Sequence, residues 1–275
     1  MKEILVLLLA SVVAAPGQTV ALKDGRVLAA ASVKRTGDRV TLESASGARF
    51  EVAAGEIARI DFVEPPELGE ATGKLLGGKG EDAVALLERL VAAQADFREI
   101  PGNWWALTAL RLAQALESQG RGLEAQGVAE KIATQSIDPE LAGAAQVQTA
   151  AVLLRRGDRA GAMRRVDAVL REARGDTARA LACLVRGQCL LAEEKWEEAM
   201  IAFVQVPVFH AGETILLPAV MLGRGRALSG LGDAAGARLV WEELRAVYPA
   251  ASESKLALTE LQRLADREQA VKGSR

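Results

Sequence analysis

Residues 225–249 read GRALSGLGDAAGARLVWEELRAVYP, and the spacing of their small residues decides the fold. Gly225, Gly232 and Ala237 stand seven and then five residues apart. Between them apolar residues recur at steps of three and four, the period of an amphipathic helix. Gly232 predicts the break: a glycine ends a helix in the left-handed conformation at little cost. Gly225 lets the first helix of the pair approach the second, and Ala237 fills the crossing point.

The same frame recurs upstream. The first column holds Gly73, Ala113, Ala150, Gly187 and Gly225. The second holds Gly80, Gly120, Gly157, Glu194 and Gly232. The third holds Ala85, Ala125, Ala162, Ala199 and Ala237. Successive units are 40, 37, 37 and 38 residues apart. A period of this length marks stacked supersecondary units, so residues 67–249 are expected to form five helix pairs. Residues 250–275 then supply a capping helix and tail. Composition agrees. The 275-residue chain is rich in Ala and Leu, half hydrophobic and only 4% aromatic, which suits close-packed helices.

This small–Gly–Ala frame resembles the tetratricopeptide repeat. Trp196, Phe203, Trp241 and Pro249 fall on that family's aromatic and proline positions, whereas Cys183 and Met221 stand where an early Trp is usual. The wording of residues 225–249 is similar to repeats of exported bacterial envelope proteins, namely the Tol-Pal-associated cell-division coordinator and the outer-membrane assembly lipoprotein. The resemblance implies a protein that binds partner proteins and carries no catalytic residues. It departs from the lipoprotein in having no cysteine near its N-terminus.

The chain changes character before residue 64. Residues 1–17, MKEILVLLLASVVAAPG, have a lysine, an apolar run and then small residues, the layout of a cleaved signal peptide. The run is too short to span a bilayer. Residues 18–63 alternate in short strands (19–22, 26–35, 39–44, 48–52 and 57–63) separated by turns such as Lys23-Asp24-Gly25. This segment resembles small SH3-like or Sm-like β-barrels. It lacks clustered aromatics and excess basic residues, so a packing or protein-binding role is expected rather than RNA binding. Glu64-Pro65-Pro66 reads as a linker.

The composition limits the chemistry. A net charge of −2 gives no electrostatic ground for nucleic acid. One His, one Tyr and two Cys leave little material for metal or acid–base sites, and no cofactor is expected. Cys183 and Cys189, six residues apart on one helix, point to different faces and read as buried free thiols. Residues 73–80 match G-x-x-x-x-G-K but lack the following Ser or Thr and a preceding strand. Gly223-x-Gly225 is half of a dinucleotide fingerprint inside a helix. Glu193-Glu194 and Glu197-Glu198 read as a solvated face, and His210 has no visible partner. In Asn103-Trp104-Trp105, Asn103 is expected to cap a helix, and Trp104 and Trp105 form a possible exposed contact.

The expected fold class is α+β, multidomain: a small N-terminal β-barrel followed by an all-α superhelical solenoid. The first helix of each pair should line a concave groove. Its candidate partner-binding residues are Leu110, Gln114, Glu117, Val147, Leu154, Arg155, Leu184, Gln188, Leu191, Leu222 and Arg226. The expected function is a non-enzymatic scaffold or adaptor, periplasmic or secreted, that holds a partner protein or peptide in this groove. It would have no membrane span. The alternatives are a self-assembling envelope subunit, which would be a homo-oligomer, a cytosolic adaptor, and an enzyme accessory or hydrolase.

Overall fold

The computed structural model describes residues 17–273. The segment read as a signal peptide lies outside them, apart from Gly17. Two compact units emerge. Among the described residues, one contains residues 17–64 together with Ile100–Asn103, and the other contains Pro65–Glu99 and residues 104–273.

The first unit has six strands: β1 (Gln18–Leu22), β2 (Val27–Ala30), β3 (Ser32–Thr36), β4 (Arg39–Glu43), β5 (Arg49–Ala53) and β6 (Ile57–Asp61). They form two three-stranded antiparallel sheets, ordered β2-β1-β6 and β3-β4-β5. The expected barrel is therefore not a closed one among the described residues. The run over residues 26–35 breaks at Ala31, so that β2 pairs with β1 while β3 pairs with β4. Gly25, Gly37 and Gly47 make the hairpin turns at positive φ. Alternate residues Val20, Leu22, Val40 and Leu42 point inward and are buried. Ile60 N–H donates to the Pro101 carbonyl at 2.9 Å, which ties residues 100–103 to the edge of β6.

The second unit is a helical array. Its helices are α1 (Pro66–Leu76), α2 (Gly80–Gln94), α3 (Trp105–Ser118), α4 (Gly122–Gln135), α5 (Pro139–Arg155), α6 (Arg159–Glu172), α7 (Asp176–Ala192), α8 (Trp196–Phe209), α9 (Leu217–Gly230), α10 (Ala234–Val247) and α11 (Ser252–Gly273). Pro66 opens α1 rather than ending a linker, because proline's missing N–H costs nothing at the first helical position.

Five hairpins close in the same way. Gly78, Gly120, Gly157, Glu194 and Gly232 all have positive φ. In each turn the following N–H reaches back to the carbonyl five residues earlier, as in Lys79 to Lys74 at 2.8 Å and Asp233 to Leu228 at 2.9 Å. Four of these residues are those of the second sequence column. The first unit differs: Gly78 makes the turn, and Gly80 is the buried first residue of α2. The frame there is Ala71, Gly78 and Ala83, two residues earlier than the sequence alignment placed it. Ala71 and Ala83 are buried, whereas Ala85 is exposed.

Small residues bring the paired helices together. Ala125, Ala162, Ala199 and Ala237 are each 0% exposed. A Cβ on Gly187 would lie 2.6 Å from the Phe203 ring, and one on Gly225 would collide with Trp241. The Trp241 indole N–H donates to the Leu222 carbonyl at 3.3 Å. Packing runs between consecutive helices and also along the odd-numbered series α1, α3, α5, α7, α9 and α11. The odd helices are therefore the inner, mutually packed row, and the even helices lie outside it.

Candidate functional site

The inner row surrounds a cavity of about 600 Å³. Its floor comes from α3, α5 and α7, which present Gln114, Gln148, Ala151, Arg155, Leu184, Val185 and Gln188. One side is closed by the two ends of the array. The α1–α2 turn and the turn before α11 both line the cavity, and a Cβ on Gly78 would sit 2.8 Å from the Ala250 carbonyl oxygen.

The polar groups lining the cavity or lying behind its wall fall into two kinds. Some are fully paired. Arg111 on α3 donates to Glu213 at 2.8 Å and to Gln114 Oε1 at 3.0 Å. The Thr177 hydroxyl donates to the other Glu213 oxygen at 2.6 Å. Arg155 forms a two-pronged pair with Glu117, one contact at 2.8 Å. Burial pushes the Glu117 carboxyl up from its ordinary value, against the opposing pull of Arg155.

The other kind is unpaired. Gln114 Nε2 is buried without an acceptor. Gln148 is only 3% exposed, and neither its amide nor that of Gln188 makes a hydrogen bond among the described residues. Three carboxamides from three successive inner helices thus face one cavity, with Gln114 Nε2 and both ends of the Gln148 and Gln188 amides unused.

Of the groove residues expected from sequence, Gln114, Glu117, Arg155, Leu184 and Gln188 line the cavity. The others do not. Leu110, Val147 and Leu222 are at most 5% exposed and form the seams between helices. Leu154 and Leu191 pack against the core cluster. Arg226 is held by Glu260 at 2.9 Å. The reason is rotational. The seam takes the residue three before the first-column position at Leu110, Val147 and Leu222, while Leu184 in the same position reaches the cavity, and most other residues of the floor stand two before or one after it. Gln148 and Val185 stand two before, and Gln114, Ala151 and Gln188 stand one after. Gln148 could have been found in the sequence as a glutamine on the same helical stripe as Ala151 and Arg155. Glu213 carries no such signal, because it lies in a loop.

The tryptophans are placed differently from the expectation of an exposed contact. Trp105 is 5% exposed in the core, and Trp104 is half-buried against the cluster of α1 to α4. The N-cap of α3 is Trp104, and the Asn103 amide donates to the Ile100 carbonyl at 2.7 Å. Cys183 and Cys189 are buried and unbridged. His210 Nδ1 lies 2.9 Å from an Asp176 carboxylate oxygen. Residues 73–80 are a helix end and a hairpin turn preceded by α1, so they lack the strand a phosphate loop needs. Among the described residues no acidic, His or Cys cluster could hold a metal, and no helix is long and apolar enough to cross a membrane.

No protein-family model matches the chain, and no curated protein sequence does. Solved structures similar to it include nearly identical TPR-like repeats of a kinesin light chain from Podosopora anserina. That structure is 21% identical, covers 66% of this chain and 92% of its own, and has a TM-score of 0.40. A second structure of the same repeats is also 21% identical, covers 67% and 97%, and has a TM-score of 0.39. So distant a likeness carries no inference about ligand or partner.

Proposed function

We propose that this protein is a non-enzymatic interaction scaffold of the cell envelope, and that its partner engages the inner face formed by α3, α5 and α7. The observation that carries the reading is the set of carboxamides of Gln114, Gln148 and Gln188 around one cavity, with Gln114 Nε2 and the whole of the other two amides unpaired. Amide groups at helix spacing suit the backbone of a bound chain, which offers N–H and C=O groups in the same plane. Export rests on the composition of residues 1–17, and the N-terminal sheets then serve as a packing or docking module. The test is a crosslinking pull-down from the native envelope fraction with the mature chain and a Gln148→Ala, Gln188→Ala variant. Capture of a defined protein that the variant loses supports the reading. Capture that the variant retains contradicts it.

One observation favours a second reading. α8 exposes Ile201, Val208 and Phe209, each at least 60% accessible, on its outer side. A self-assembling subunit would bury such a stripe. Light scattering of the mature chain would then give a discrete oligomer that dissociates in an Ile201→Asp, Phe209→Asp variant.

A further inference from the structure

We infer that the cavity is a binding site for a free, short, uncharged peptide with aliphatic side chains, about five residues long when extended. This rests on the inner face being the recognition surface and narrows what that surface takes.

The amides set the chemistry. A buried polar group without a partner is costly, so a ligand that pairs with Gln114 Nε2 relieves a cost already present in the free protein, and the Gln148 amide beside it offers further unused donor and acceptor capacity. Gln114 Oε1 is occupied by Arg111, which leaves this residue as a donor and calls for a carbonyl opposite it. Gln148 and Gln188 keep both donor and acceptor capacity. A peptide backbone supplies both.

The walls set the side chains. Leu75, Leu181, Leu184, Val185, Ile215 and Leu216 line the space, and no aromatic ring is among the lining residues. Sugars and nucleobases therefore find no stacking face, while aliphatic side chains find apolar contact. The wall carries charges of both signs in equal number, Glu117 and Glu253 against Arg155 and Lys255, and Glu117 and Arg155 satisfy each other, so neither sign of ligand charge is favoured. A charged ligand side chain would have to leave water beside a wall with no net charge.

Dimensions set the length. Packed helices lie about 8–10 Å apart, so Gln114 to Gln188 spans about 16–20 Å over two steps. An extended chain rises about 3.3 Å per residue, which gives about five residues. A cavity of about 600 Å³ lies within the range of sites for small ligands. The contact of Gly78 with Ala250 closes one side, so a short free peptide fits better than the middle of a long chain.

Calorimetry on the full chain tests this. The probe is a pentapeptide of alternating leucine and alanine, acetylated and amidated. Controls carry lysine or glutamate in place of leucine, and one carries the neutral sequence within a loop of an inert carrier protein. The expected result is binding of the neutral peptide with Kd below about 1 mM. Affinity should fall at least about tenfold in Gln148→Leu, whose fold is checked by its melting curve. It should stay constant as salt rises, because no net charge is engaged. Tighter binding of a charged peptide, or equal affinity in Gln148→Leu, overturns the inference. Carrier-embedded sequence that binds as well as free peptide overturns the claim that the ligand is free. If no peptide binds while partner capture still depends on Gln148 and Gln188, the peptide inference fails and the scaffold reading stands. If both fail, the inner face is not the recognition surface.

Discussion

Arg111 and Glu213 meet at 2.8 Å although 102 residues of sequence separate them. Their side chains are only 16% and 9% exposed. The pair links α3 in the second helix pair to the loop before α9, so it braces the array across its inner side. Removing one partner of a buried pair strands the other charge, at a cost on the order of 3 kcal/mol. Glu213→Met alone should lower unfolding stability by about that much. The double variant Arg111→Met, Glu213→Met should lose less than the two single variants combined. Urea melts of the three variants measure the difference, and strict additivity would contradict the brace.

The hairpin turns give a second expectation. Glu194 adopts φ 58° where the other four turns use glycine. The left-handed conformation costs a non-glycine residue about 1–2 kcal/mol. Part of that is returned through the stiffer unfolded chain. Glu194→Gly should therefore stabilise the protein by up to about 1 kcal/mol. Gly157→Ala should destabilise it by about 1 kcal/mol, although nothing lies within 4 Å of the added methyl. Thermal melts of both variants check the opposite signs.

These turns also show how far the sequence could be read. Gly157 stands alone between RR and DRA, while Gly120 and Gly232 each have a second glycine two residues away, Gly122 and Gly230, and are picked out by their distance to Ala125 and Ala237. The first unit reads LLGGKGED, with Gly77, Gly78 and Gly80 in competition. Local spacing cannot choose among them, since the choice depends on Ala83 rather than Ala85 entering the core. The groove was legible by column but not by rotation. Leu110 and Gln114 sit on one helix a single turn apart, yet one is sealed between helices and the other faces the cavity. That distinction is made by the angle at which neighbouring helices pack. The break at Ala31 was hidden because both halves of residues 26–35 alternate as strands do. Glu213 and the contact of Gly78 with Ala250 depend on the curvature of the array, which no local pattern encodes.

Close approach at the first column predicts a steric effect. Gly225→Ala places a methyl into Trp241, a buried ring with no room to move. Overpacking of this kind costs about 1–3 kcal/mol. The same substitution at Gly127, where nothing lies within 4 Å, should be neutral or mildly stabilising in mid-helix. Equal effects at the two sites would argue against tight packing at the first column.

The thiols should be inert in the folded protein. Burial raises the Cys183 thiol above its ordinary range, and burial with nearby Glu193 and Asp167 pushes Cys189 up to about 11. Neither is thiolate at pH 8. Ellman's reagent should titrate no thiol in buffer and two in denaturant. Rapid reaction of either in buffer would contradict its burial.

Glu117 gives a pH dependence. Its folded-state value lies above 4.5 because burial disfavours the charge. The folded state therefore binds this proton more tightly than the unfolded chain does. The resulting stabilisation is full below the unfolded value and is lost as pH rises through the folded one. The stability of the parent relative to Glu117→Gln should accordingly decline as pH rises through and above the ordinary carboxylate range. Urea titrations at each pH give that difference, and a rise over the same range would reverse the assignment.

The inner face as recognition surface is tested most directly by placing a diazirine amino acid at Gln188 and, in a separate protein, at Leu239 on the outer side of α10. Both are irradiated in the native envelope fraction, and adducts are mapped by mass spectrometry. The account predicts a peptide or protein adduct at position 188 that is lost with Gln148→Leu, and none of that species at position 239. The same adduct at position 239 with none at position 188 would contradict it.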